Sequence, residues 1–343
     1  MERFGQIGGK PVYLIRLQND EIRCEIISYG AAMRSLTVPD AAGEPTDVVL
    51  GFDTLDEYVR DTNFFGATVG PVANRISGAA FELNGRRCEM TKNDFGNCLH
   101  SAEAGLNARL WDVMELHEDA VCLVCTHPDA LGGIPGDLRV AVTYSLEGRT
   151  LCIDYWAVSD RDTLCNLTNH SYFNLDGHDA GPILGHRITL FSHSFTPSDA
   201  HAIPTGSIRA VAGSDMDLTR ATCIGTRIDR DCEQLKNAGG FDHNYLIDPN
   251  DEGVGFRPAA LVKGGKKGIT MSVYTDRPCV QFYTGNYVAE GLKGKDGAVY
   301  HRRQGLCLET QGFVDAPNHP SFPPITLKAG KVWQSRTEYR FGT

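Results

Sequence analysis

The chain has 343 residues, of which 41% are apolar and 22% charged, and its formal net charge is -10. That balance excludes extensive disorder, and no apolar run is long enough for a membrane-spanning helix. The acidic excess also argues against nucleic acid, whose phosphates need clustered Lys and Arg, and favours a neutral small molecule as partner.

The first residues, MERFGQ, lack the basic and apolar segments of a secretory signal, which predicts a cytoplasmic location. Eleven scattered cysteines are an odd number, so reduced thiols are expected rather than a full disulfide framework. The single CxxC, Cys122 and Cys125 with His127 behind it, falls in a strand-like run and has no second pair to complete a zinc site. Two Gly-Lys clusters, at 8–10 and 263–268, lack the spacing of a phosphate loop and read as turns.

In chain order, short β-like runs at 12–17, 22–28, 34–38 and 48–52 come first, with a brief helical turn at 55–60. A glycine-bracketed loop at 70–78 carries Asn74 and Arg75, and Asn84-Gly85 marks a tight hairpin. His100 opens a loop of small residues at 101–105. Further strands are predicted at 121–126, 138–146, 151–158, 186–195, 259–262, 269–275, 280–283, 306–311 and 332–341, with a second short helix near 232–237. No linker or low-complexity segment interrupts them. The expectation is an all-β chain: one large antiparallel β-sandwich spanning 1–343.

Two stretches carry candidate chemistry. Read as a strand, 166–175 puts Asn166, Thr168, His170, Tyr172 and Asn174 on one face, as a cleft wall would require. Leu167 and Phe173 would then pack behind the imidazole. In 305–311, alternation sets Glu309 and Gln311 opposite Leu306 and Leu308, so the carboxylate faces either water or a cleft. A proline-stiffened loop at 315–324 follows. An ionised Glu and a His that titrates near neutrality suit general acid–base work on a polyol, and no nucleophile elbow, HExxH or GxGxxG offers another chemistry.

These residues resemble the aldose 1-epimerase family. The likeness rests on NLTNHSYFNL at 166–175, with GPVANRI at 70–76, LHSAEAGL at 99–106, IPTG at 203–206, GGFDHNYLI at 239–247, VQFYTGN at 280–286 and LETQGFVDAPNHPSFP at 308–323. The resemblance implies a β-sandwich with a sugar cleft and no metal or cofactor, acting as monomer or homodimer on an aldose such as galactose or glucose. It implies that Glu309 takes the anomeric hydroxyl proton and that His170, with His100 near, supplies one to the ring oxygen. Arg75, Asn74, Asp242, Gln281 and Gln311 would hold the sugar. Ser101, Ala102 and Gly312 depart from the family pattern, which commonly has two glycines and a histidine there. A non-catalytic sugar sensor, a hexose-phosphate epimerase and a glycoside hydrolase are the competing readings.

Overall fold

A computed structural model describes residues 1–249 and 255–343. Nearly all regular structure is antiparallel β. Two short α-helices, Leu55–Arg60 and Glu233–Ala238, are the only ones among the described residues. None is long and apolar enough to cross a membrane.

Three sheets organise the chain. The amino-terminal meander pairs Glu2–Ile7, Lys10–Gln18, Arg23–Ile27, Ala32–Pro39 and Pro45–Asp47 in sequence order. A nine-stranded sheet is centred on Leu138–Glu147, Thr150–Ser159 and the long carboxy-terminal strand Val332–Gly342. The third sheet runs Arg209–Ala210, Ser194–Thr196, Asp242–Leu246, Cys279–Tyr283, Cys307–Gln311.

The period-two pattern of the last three strands explains how they serve both a core and a cleft. Val280, Phe282 and Leu308 point to one side and join Ile15, Val142 and Tyr339 from the other two sheets in one apolar cluster. Each such burial contributes about 1.5–3 kcal/mol. The opposite side is polar, and register aligns it in rows: Asp242 beside Tyr283 beside Cys307, then Asn244 beside Gln281 beside Glu309. The sandwich therefore places a carboxylate strand with its polar side turned away from the core.

Most expected elements are found. The Asn84-Gly85 hairpin joins Ala80–Leu83 to Arg86–Glu89, with φ of 51° and 73° at its two turn residues. Both Gly-Lys clusters are turns, and the second wraps the Asp176 carboxylate, which accepts N–H bonds from Gly265, Lys266 and Lys267. All eleven cysteines are free.

Two expectations are corrected. The run at 186–195 is two strands, Arg187–Leu190 in the nine-stranded sheet and Ser194–Thr196 in the third. The 166–175 stretch is not a continuous strand: only Thr168–Asn169 pairs regularly, with Thr68–Val69, and Asn166 and Phe173 are held by isolated bridges. Asn side chains bind nearby backbone and displace the ladder. Asn169 Oδ1 accepts from Ser171 N–H, and Asn174 Oδ1 from Asp176 N–H.

What holds this irregular segment is close backbone contact through Gly66. Its N–H donates to His170 O at 3.1 Å, and its carbonyl accepts from Met33 N–H and from Asn169 Nδ2. Gly66 has φ of +68°, and a Cβ there would sit 1.9 Å from Met33 O. Gly66→Ala is therefore expected to cost roughly 2–4 kcal/mol, through a forbidden contact added to left-handed strain. Chemical denaturation of the two proteins checks this; equal midpoints would contradict it.

Candidate active site

His170 lies where two chain segments meet above the third sheet. Its N–H donates to Ala67 O at 2.9 Å while its carbonyl accepts from Gly66, so the backbone is clamped on both sides. Aromatic rings surround the imidazole: Tyr172 stacks at 5.1 Å, and Phe64, His100 and Tyr283 lie at 5.8, 5.4 and 6.2 Å. These rings hold the imidazole, in place of the expected Leu167 and Phe173.

Glu309 faces the cleft rather than water and is 2% exposed. Its Oε1 is 3.7 Å from His170 Nε2, and its Oε2 has no protein partner. Burial pushes this carboxyl well above the ordinary range, with Asp242's charge adding to the effect and Arg75 opposing it. Burial drives His170 the other way, to about 4. Both shifts favour the uncharged forms.

His100 reaches the same point from the other wall. The short Arg75–Ile76 strand pairs with Cys98–Leu99, and Asn74 N–H donates to His100 Nδ1 at 3.1 Å while His100 N–H donates back to Asn74 O. Burial, then His170 and Arg75, hold this imidazole well below its ordinary value. With Nδ1 occupied by a backbone donor, Nε2 carries the proton and points a donor into the cleft.

Arg75 is braced between two carboxylates. Its Nε donates to Asp94 at 2.7 Å, and its Nη1 is 3.9 Å from Asp242. Although burial pulls the guanidinium down, Asp242 and Asp94 keep it above its ordinary value. Asp242 is raised by burial, against Arg75 and the 2.6 Å hydrogen bond from Gln281 Nε2.

Together these side chains line an open cleft of about 480 Å³, its solvent-filled mouth included. Of the residues expected from sequence, it brings together Asn74, Arg75, His100, His170, Asp242 and Glu309. Gln281 lies one layer behind, orienting Asp242. Gln311 is fully buried beyond Glu309, and neither glutamine lines the cleft. Of the remaining polar residues at 166–175, only Tyr172 reaches it. Asn166 accepts Gly312 N–H, and Asn174 donates to Gly181 O and Gln304 O, so these two support backbone.

Sequence reasoning passed over Phe64, Tyr283, Tyr287 and Asp94. Tyr283 had a signal, because it stands two residues from Gln281 and so shares its face. Phe64 and Tyr287 sit in loops, where no periodicity marks them.

His100, His170 and Glu309 are the one trio among the described residues near enough to grip a metal, with ligand atoms within 4.8 Å of one another. Their surroundings do not suit that task. A histidine ligating through Nε2 needs Nδ1–H to face an acceptor, whereas His100 Nδ1 faces the Asn74 N–H.

A polar cleft with a buried carboxyl and imidazole on its floor accords with the wider likeness of the chain. The family model for aldose 1-epimerase matches residues 13–340. The chain belongs to the aldose 1-epimerase family. It is 40% identical to galactose mutarotase of Bos taurus over 98% of this chain and 95% of that one, and 31% identical to aldose 1-epimerase of Escherichia coli over 97% and 96%. Among solved structures, an aldose epimerase homologue from C. elegans superposes with a TM-score of 0.87 at 30% identity, covering 96% of this chain and 99% of that one. The chain keeps the sandwich despite its departures in the His100 loop. Ser101 and Ala102 take the positive φ, 64° and 50°, that glycines adopt without strain.

Proposed function

We propose that Glu309 and His170 open and reclose the pyranose ring of a hexose such as galactose or glucose, and so interconvert its α and β anomers. Glu309 takes the proton of the anomeric hydroxyl as His170 Nε2 gives one to the ring oxygen. The C1–O5 bond breaks, the free aldehyde turns about C1–C2, and the two groups exchange roles as the ring closes. The observation that carries this reading is the buried Glu309–His170 pair, 3.7 Å apart, whose opposite shifts suit two groups that trade one proton. Opening begins from carboxylate and imidazolium, and closing from carboxylic acid and imidazole. These differ only in where that proton sits, so no net proton enters or leaves.

His100 Nε2–H is then a fixed donor near the ring oxygen, while Arg75, Asn74 and Asp242 bind hydroxyls, with Gln281 orienting Asp242. Asp242 is engaged by Arg75 and Gln281, which leaves histidine rather than a second carboxyl as the acid and disfavours glycoside hydrolysis. Arg75 is the cleft's one cationic lining residue among those described, and its charge is balanced by Asp94 and Asp242. That favours an uncharged sugar over a hexose phosphate.

Polarimetry on freshly dissolved α-D-galactose and α-D-glucose tests the reading. The expected result is a faster approach to the same final rotation, saturable in sugar. An unchanged rate at neutral pH with both sugars would contradict it.

A further inference from the structure

The two cleft histidines differ at Nδ1. That of His100 faces a backbone N–H, which only donates, so its tautomer is set. That of His170 lies 3.5 Å from Cys307 Sγ, and a thiol both donates and accepts. Cys307 is fully buried and stands two residues before Glu309, on the same face of the same strand and beside Tyr283. Among the described residues, Cys307 Sγ and His170 Nδ1 have no other side-chain hydrogen-bond partner. The His170 carbonyl, which takes the Gly66 N–H and has a second lone pair, also faces the ring, and like the thiol it accepts only from a protonated Nδ1.

The proton exchange described above constrains Nδ1. Nε2 alternates between protonated and bare, so Nδ1 has to keep its proton throughout. If it did not, giving up the Nε2 proton would leave an imidazolate.

We propose that Cys307 is the positioning residue for His170: its sulfur accepts the Nδ1–H, fixes the ring, and leaves Nε2 as the atom that trades the proton with the sugar. This rests on the reading of His170 as proton donor. Burial, Glu309 and Asp242 together hold the thiol well above its ordinary value, so it stays uncharged. A weak, neutral acceptor orients the ring without stabilising the imidazolium. A carboxylate in the same place would raise the imidazole's basicity and hold back the proton.

Selective ¹⁵N-histidine NMR of the intact protein at neutral pH reads the tautomers directly, with His170 assigned from the resonances lost in His170→Gln. The expected spectrum has His170 protonated at Nδ1 and bare at Nε2, and His100 the reverse. A His170 ring bare at Nδ1 and protonated at Nε2 overturns the proposal, and this measurement stands even if a Cys307 variant does not fold.

Kinetically, Cys307→Ala is expected to lower kcat about 5- to 10-fold, the worth of one modest hydrogen bond, with KM little changed. Cys307→Ser should recover most of the loss. Wild-type kcat in Cys307→Ala, beside an inactive His170→Gln, overturns the thiol's role and leaves His170 as donor. An active His170→Gln removes the donor reading and this proposal with it.

Discussion

Glu309→Gln is expected to reduce kcat by about 10³-fold or more, at the upper end of what one general base contributes, while the protein becomes more stable at neutral pH. The amide fills the same volume and hydrogen-bonds as well, but it cannot take the anomeric proton. The gain in stability follows from the sign of the carboxyl's shift. Burial raises the folded-state value well above the ordinary one. An unfolded Glu, with a value near 4.3, therefore ionises before the folded one as pH rises, and this favours unfolding. The penalty is absent below about pH 4.3 and grows through neutrality toward the raised folded value. Glu309 Oε2, buried with no partner, is the local form of the same cost. Thermal unfolding at pH 4 and pH 7.5 should show the variant matching wild type at the lower pH and exceeding it at the higher. A variant that loses activity and stability together at pH 7.5 would indicate a structural role for Glu309 instead.

The same cost bears on what could be read from the sequence. The strands were legible because most bury one face, and period two is then visible in pairs such as Val280/Phe282 and Leu306/Leu308. The face carrying Glu309 followed from that alternation. Its burial did not, because a Glu on the far side of a core strand is usually solvated, and the rings and loops that roof it come from distant residues such as Phe64 and Tyr287. The 166–175 stretch misled for a related reason. Its polar residues alternate as in a strand, but Asn166, Asn169 and Asn174 spend their amides on backbone, and the ladder gives way to single bridges. Hydrogen bonds of this kind join positions far apart in the chain, Asn166 with Gly312 among them, and local periodicity carries no record of them. Residue pattern gave a polar cleft wall with a histidine suited to acid–base work, and family likeness gave His170 its particular role.

His170→Gln is expected to lower kcat about 10²- to 10³-fold, and the wild-type profile of kcat/KM against pH should locate the proton that the change disables. With one proton shared by Glu309 and His170, activity falls when a second proton arrives on the imidazole and when the last one leaves the carboxyl. The first event is governed by His170, pushed down to about 4 by burial. The acid limb should accordingly lie near pH 4, with the rate level through pH 6.5, where an ordinary histidine would already be titrating. The second event follows the raised Glu309, so the alkaline limb lies well above the ordinary carboxyl range. The groups facing the pair sharpen this expectation. His100 is held neutral, Arg75 stays charged, and the Cys307 thiol and the Tyr172 and Tyr283 hydroxyls are pushed further up by burial, so none of these adds a limb near neutrality, while Asp242, a carboxyl also raised by burial, is the one further acid beside the pair. Stability bounds the acid side, because an unfolded imidazole takes its proton near 6.5 and the folded one resists until about 4, so the fold weakens across that interval as pH drops. Rates should therefore be taken after brief exposure, with the spontaneous acid-catalysed interconversion subtracted. An acid limb near 6.5 that disappears in His170→Gln would mean that the imidazole titrates as if exposed to water, and the one-proton account of the pair would fall.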